Sequence, residues 1–371
     1  MRLAPILLAM ALILMAAPAF AQSTGEVAAP APAPSIDEMA GQMIVVGFSG
    51  NDLADASVKK LTDEIASSGI GGVMYLKVNV KSRAAVEAMN TAFLAAAPGG
   101  LKPFITLDQE GGMVERLTAA VGFDEVPNAE TVAARYSPAE AEPIYETMAD
   151  AIAAWGFNVN FAPVVDLSVN PNNQVIAKFG RAFSAKPDAV ADYAEAVVAA
   201  HHKAGIVTAL KHFPGHGSST ADSHEGYVDI TKTWKPDELS PYSKMITDGY
   251  ADFVMVGHLI NRNYSPEPAT LAPEWIDGVL RTDLGFTGVV ISDDLEMGAI
   301  RQHYDLKQTV TRAVRAGIDV LLFSNTAKPR ATLPDEIRAI LVAEAAADPS
   351  FKSRIEESYK RIVALKARIG G

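Results

Sequence analysis

Residues 211–226 read KHFPGHGSSTADSHEG and hold three of the seven histidines in the chain. Lys211 and His212 close an apolar run. Pro214, Gly215 and Gly217 then forbid a regular element, and Asp222-Ser223-His224 follows in a loop of small residues. An aspartate two residues from a histidine favours the protonated imidazole and fixes its orientation, so the pair suits proton donation to a leaving oxygen and later activation of water. A lone Asp-x-His is more often a surface turn; the other chemistry-bearing residues of the chain decide the matter.

Those residues fall at regular places. Short apolar runs at 43–48, 71–76, 103–109, 157–166, 206–213, 253–258, 288–294 and 319–325 are near-continuous rather than alternating, as parallel strands covered on both faces require. Helical patterns separate them: Val58, Leu61 and Ile65 share one face, as do Ile144, Met148 and Ile152. Gly69, Gly156, Gly205 and Gly317 each end a helical pattern just before a strand. The expected fold is therefore α/β, a single (β/α)8 TIM-type barrel with C-terminal helices. A doubly wound open sheet is the alternative, because alternation alone does not show closure.

In such a barrel the chemistry sits at the C-terminal ends of the strands. Asp108 and Glu110 follow the third run, Asp166 ends the fourth, and Lys211-His212 end the fifth. His258 ends the sixth, Asp293-Asp294 the seventh and Asn325 the eighth. Asp166 and Asp294 are the two expected only to cap the next helix, a structural role. Three reaction classes could use this set. Metal hydrolysis is disfavoured because Pro214 and the glycines break the helix that His212 and His216 would need to share a zinc ion. Schiff-base chemistry at Lys211 needs a desolvated neutral amine, whereas nearby carboxylates keep it charged, so Lys211 reads as a donor to substrate hydroxyls. Glycoside hydrolysis needs a carboxylate nucleophile, Asp293 or Asp294, and a proton donor, the Asp222–His224 pair.

The motif KHFPGHGSSTADSH resembles the signature of glycoside hydrolase family 3 β-N-acetylglucosaminidases. LDQEGG at 107–112, FAPVVD at 161–166, GRAF at 180–183, PATL at 268–271 and LGFTGVVISDDLEM at 284–297 occur in the family's order. The resemblance spans most of residues 36–325. It implies a retaining exo-glycosidase that releases terminal β-linked N-acetylglucosamine, with Asp293 as nucleophile and Asp222–His224 as acid/base dyad. It further implies Asp108, Arg116, Arg181, Lys211 and His212 as sugar ligands, with no metal or organic cofactor. Phosphate as the acceptor, another sugar specificity and a non-catalytic sugar-binding role are the alternatives kept. The chain departs from the pattern in two places. Met113 stands where the family has arginine, and EGYVDI at 225–230 replaces a Leu-Pro segment; the second is expected to alter how the catalytic loop closes. After the eighth run only two helical patterns remain, so the second sheet domain of related β-glucosidases is not expected.

Composition bounds the rest. Of 371 residues none is cysteine, and the net charge of −12 argues against nucleic acid or anionic membrane surfaces as partners. Residues 1–21 read as a secretory signal, with Arg2, an apolar stretch from Leu3 to Met15 and an Ala19-Phe20-Ala21 cleavage site. Residues 22–35 form an Ala/Pro-rich linker, and 36–371 the catalytic barrel. The expectation is an exported, periplasmic or secreted protein with a carbohydrate substrate, no stable membrane insertion after cleavage, and a monomeric state. His201-His202 are expected on a solvated surface, His216 to order the glycine loop, His258 at the pocket rim or in a core hydrogen bond, and Trp155 and Trp275 in packing.

Overall fold

Eight short parallel strands form a closed ring in sequence order: Ile44–Gly47, Gly72–Met74, Phe104–Leu107, Val159–Asn160, Val207–Phe213, Phe253–Val256, Val289–Ser292 and Leu321–Phe323. The computed structural model describes Met1, residues 33–326 and residues 328–369; the expected leader and nearly all of the linker lie outside the described residues. Closure, which alternation could not show, comes from the seventh and eighth strands. Ile291 pairs with Val320, and the Ser292 N–H donates to the Val320 carbonyl at 3.0 Å. The open-sheet alternative is thereby excluded.

Every residue of the first, second, third, sixth, seventh and eighth strands is buried, as the continuous apolar runs demanded. Crossover helices cover the outside. Ala56–Ala66, for example, buries Val58, Leu61 and Ile65, and Pro138–Ala154 buries Met148 and Ile152. Gly156, Gly205 and Gly317 take positive φ at the ends of helices, but before the second strand the left-handed residue is Ser68, not Gly69. Trp155 and Trp275 are buried in the packing.

All eight strands are shorter than their apolar runs, the fourth and the eighth by the most. The fourth breaks after Asn160 because Pro163 has no N–H to give the ladder, and pairing resumes only at Val164 with Lys211. The eighth starts beyond Asp319, whose carboxylate instead accepts from the Val290 N–H, Arg281, Ser358 and Arg361. Outside the barrel, Val228–Asp229 pairs in parallel with Leu259–Ile260. This ribbon was not expected, and it ties the end of the loop after the fifth strand to the loop after the sixth.

The last helix, Pro349–Lys366, reaches the N-terminal end of the barrel. There the Lys366 ammonium donates to Gln42 Oε1 at 2.6 Å and the Gly71 carbonyl at 2.7 Å, 4.7 Å from the Phe104 ring centre.

Candidate active site

The C-terminal ends of the strands enclose a cavity of about 370 Å³, within the usual range of roughly 300–1,000 Å³ for small-molecule sites. All eight residues expected at the site gather at or beside it. Asp108, Arg116, Arg181, Lys211, His212, His224 and Asp293 line its wall, and Asp222 stands behind His224.

A chain of charges runs across the floor. Lys211, at the end of the fifth strand, places Nζ 2.7 Å from Asp108 Oδ1 and 2.7 Å from Glu110 Oε1. Arg116 Nη2 donates to Asp108 Oδ2 at 2.8 Å, while its Nε is buried with no protein acceptor. Arg181 grips Glu110 with two bonds of 2.8 and 2.7 Å. Burial pushes both carboxyls up, but the cations overcome it: Asp108 is held well below the carboxylate range and Glu110 near about 2. Burial also opposes the charge on Lys211, yet Asp108 and Glu110 raise its pKa above the ordinary value. An amine held charged in this way is a hydrogen-bond donor, not a Schiff-base nucleophile.

Arg181 Nη2 also points at His212 Nε2 across 3.3 Å. A guanidinium only donates, so Nε2 accepts and the His212 proton sits on Nδ1, which donates to Asp166 Oδ2 at 2.7 Å. Asp166 was expected to cap the next helix. Instead it is fully buried and also accepts from the His212 and His216 backbone N–H groups. Burial raises its pKa, and the His212 imidazole more than offsets that. His216 orders the glycine loop as expected, through Ser219 Oγ at 2.6 Å and Ser223 Oγ at 3.3 Å. Its ring is held neutral, with a pKa lowered to about 4 chiefly by burial. His212 and His216 thus face different partners, not a shared point.

The two aspartates after the seventh strand are distinguished by their surroundings. Around Asp293, burial raises the pKa, but His258, His212 and His224 outweigh it and hold the carboxyl below its ordinary value. Asp294 goes the other way. Burial lifts it despite N–H bonds from Ser324 at 2.9 Å and Glu296 at 3.0 Å; it was expected to cap the next helix, but Gly298–Arg301 has Met297 at its N-cap, and Asp294 instead braces the end of the eighth strand. His258 is buried, with Nε2 donating to the Asp294 carbonyl and Nδ1 2.6 Å from Thr270 Oγ1, the core hydrogen-bond alternative.

At the mouth, the His224 side chain is 64% exposed, and its Nδ1 donates to Asp222 Oδ1 at 2.7 Å. Burial raises Asp222, but the His224 backbone N–H and imidazole lower it further. Nε2 of His224 is left without a protein partner among the described residues. The loop leading to the dyad runs so close to the fourth-strand loop that a Cβ at Gly217 would lie 1.9 Å from the Leu167 carbonyl oxygen.

Sequence reasoning missed the buried partners. Glu110 lies 71 residues from Arg181, and Asp166 lies 46 from His212; only the strand-end rule marked them. His201, expected on the surface, is fully buried and bonded to Asn160 Nδ2 at 3.0 Å, while His202 bonds Asp252. Met113 is 73% exposed and is not among the residues that line the cavity.

An ionised carboxylate and an imidazole with one free nitrogen on the same cavity divide the labour of attack at carbon and protonation of a leaving oxygen, which is the chemistry of a glycoside hydrolase. Sequence comparison gives the family. The pattern of the glycosyl hydrolase family 3 N-terminal domain matches residues 35–365, and the chain belongs to that family. It is 37% identical over 289 residues to a beta-hexosaminidase of Xylella fastidiosa (strain M23), covering 76% of this chain and 82% of that one. The beta-hexosaminidase of Stenotrophomonas maltophilia (strain R551-3) is 36% identical over 290 residues, with the same coverage. Among solved structures, a family 3 beta-N-acetylglucosaminidase from Paenibacillus sp. str. FPU-7 superposes with a TM-score of 0.81 at 32% identity. The match covers 91% of this chain and 63% of that one, so this chain spans less than two thirds of that protein. A beta-N-acetylhexosaminidase from Beutenbergia cavernae gives 0.80 at 30% identity, over 90% of this chain and 99% of the other.

Proposed function

We propose that the enzyme is a retaining exo-β-N-acetylglucosaminidase. The observation that carries the reading is the placement of an anionic Asp293 and the His224–Asp222 pair on one cavity whose floor is a fixed polar network. Asp293 attacks the anomeric carbon while His224, oriented by Asp222, gives its Nε2 proton to the leaving oxygen. The resulting glycosyl-aspartate is then opened by water that has lost its proton to the same nitrogen. Lys211, Arg116, Arg181, His212 and Asp108 hold the hydroxyls of the terminal sugar. The relatives' names support N-acetylglucosamine as the sugar released. No step needs a metal or an organic cofactor.

The test compares nitrophenol release from p-nitrophenyl β-N-acetylglucosaminide and p-nitrophenyl β-glucoside. Turnover of the first alone is expected; preference for the second would overturn the sugar assignment. The signal-like residues 1–21 support export, with a linker at 22–35 and a monomeric catalytic unit at 36–371 acting on peptidoglycan-derived or related glycans. A mature chain starting near Gln22 in the periplasm or medium would bear this out, and an uncleaved chain confined to the cytoplasm would refute it.

A further inference from the structure

The segment that bears the dyad does not end free. Its backbone is docked on the stretch just past the nucleophile. The His224 carbonyl accepts from the Gly298 N–H at 3.1 Å, and the Ser223 carbonyl from the Ala299 N–H at 3.3 Å. Contact is so close that a Cβ at Gly298 would lie 2.6 Å from the His224 oxygen. Gln302 Nε2 donates to the Glu225 carbonyl at 2.9 Å. Beyond it the Tyr227 ring lies flat on the His303 ring, with centres 3.7 Å apart and planes 7° from parallel. Tyr304, next in sequence, reaches Glu267, which Arg312 of helix Leu306–Ala316 holds at 3.1 Å. The ribbon of Val228–Asp229 with Leu259–Ile260 fixes the chain just past Tyr227.

We propose that Tyr227, His303 and Gln302 form a latch that positions the His224 imidazole over the cavity that also holds Asp293. They are positioning residues for proton transfer, and none touches the substrate. The EGYVDI departure supplies the tyrosine, so this chain secures the acid/base segment with a ring stack on the nucleophile's own loop. The inference rests on the reading of His224 as acid/base. Because the side chains of the latch act only through His224, their effect must track the need for a proton. A leaving group that departs as a stable phenolate barely needs one, whereas a sugar or weakly acidic phenol depends on it.

The experiment measures kcat/KM with 2,4-dinitrophenyl, p-nitrophenyl and p-methoxyphenyl β-N-acetylglucosaminides for wild type, His224→Ala, Tyr227→Ala, His303→Ala, Gln302→Ala and His303→Phe. The latch predicts a loss of roughly 10-fold or more on the methoxyphenyl substrate for Tyr227→Ala and His303→Ala, and under about 3-fold on the dinitrophenyl substrate. His303→Phe, which keeps a flat ring, recovers most of the loss, and Gln302→Ala shows a smaller selective fall. An equal loss on all three substrates, no loss, or a phenylalanine variant as poor as alanine overturns the latch. His224→Ala separates the two claims. If it shows no leaving-group dependence, the acid/base reading fails. If it does and the latch variants do not, the latch alone fails. Tyr227 and His303 are exposed, and circular dichroism spectra matching wild type establish that each variant is folded.

Discussion

Asp293 and Asp294 are neighbours of identical chemistry, and their environments give them opposite tendencies. Three imidazoles hold the first ionised, while burial and two backbone amides turn the second into a strut between the seventh and eighth strands. Asp293→Asn is therefore expected to cut kcat by at least about 10³-fold with the thermal midpoint little changed. Asp294→Asn should lower the midpoint yet keep measurable turnover; stopped assays and thermal melts on both variants check this. The dyad was legible because its two members lie two residues apart. The choice between the aspartates was not legible from the residues, since it depends on His212 of the fifth strand, His224 of the loop after it and His258 beyond the sixth strand. The polar floor was half legible: strand ends announced Lys211 and Asp108, but pairings such as Arg181 with Glu110 exist only once the barrel closes.

The loop after the fifth strand has no regular structure before Val228, and its start packs against Glu238. Glu238 sits there buried, with Oε2 3.3 Å from the Ser218 N–H and Oε1 unpartnered. Burial raises its pKa from 4.5 to about 7. The folded protein therefore holds a proton that the unfolded chain releases, and this contribution to stability is complete below about pH 4.5 and lost as pH rises to about 7. Glu238→Gln should gain about 2–3 kcal/mol relative to wild type across that window. Urea melts at pH 4.5 and 7.5 measure it, and a difference that stays constant with pH would refute it. None of this is legible from the sequence, where nothing marks Glu238 as buried. The same limit applied to the fourth strand, where the apolar run hid the break at Pro163, and to the Val228–Asp229 ribbon, too short to carry a periodic signal.

Across the whole molecule the two ends of the barrel divide their tasks. The C-terminal end carries the cavity, and the N-terminal end is closed by the last helix, where Lys366 is buried and forms no ion pair among the described residues. Burial lowers its pKa from 10.5 to about 7. Here the unfolded chain binds the extra proton, so the cost of burial is full below about pH 7 and relieved as pH rises toward 10.5. Stability of wild type relative to Lys366→Met should rise through that range while KM stays the same, because the site lies at the other end. A changed KM would contradict the division. Fold class was legible from eight buried runs and the glycine stops between them; ring closure was not, because it rests on the pairing of Ile291 with Val320.

The proposed mechanism passes through a covalent bond between the sugar and Asp293, and trapping that bond tests it. The protein is incubated with 5-fluoro-N-acetylglucosaminyl fluoride, whose ring fluorine slows breakdown of the intermediate, and is then digested and mapped by mass spectrometry. A single glycosyl adduct on the peptide carrying Asp293, absent in Asp293→Asn, is the predicted result. Turnover of the nitrophenyl substrate with an adduct on another residue, or with no adduct and an inverted product anomer, would contradict the account.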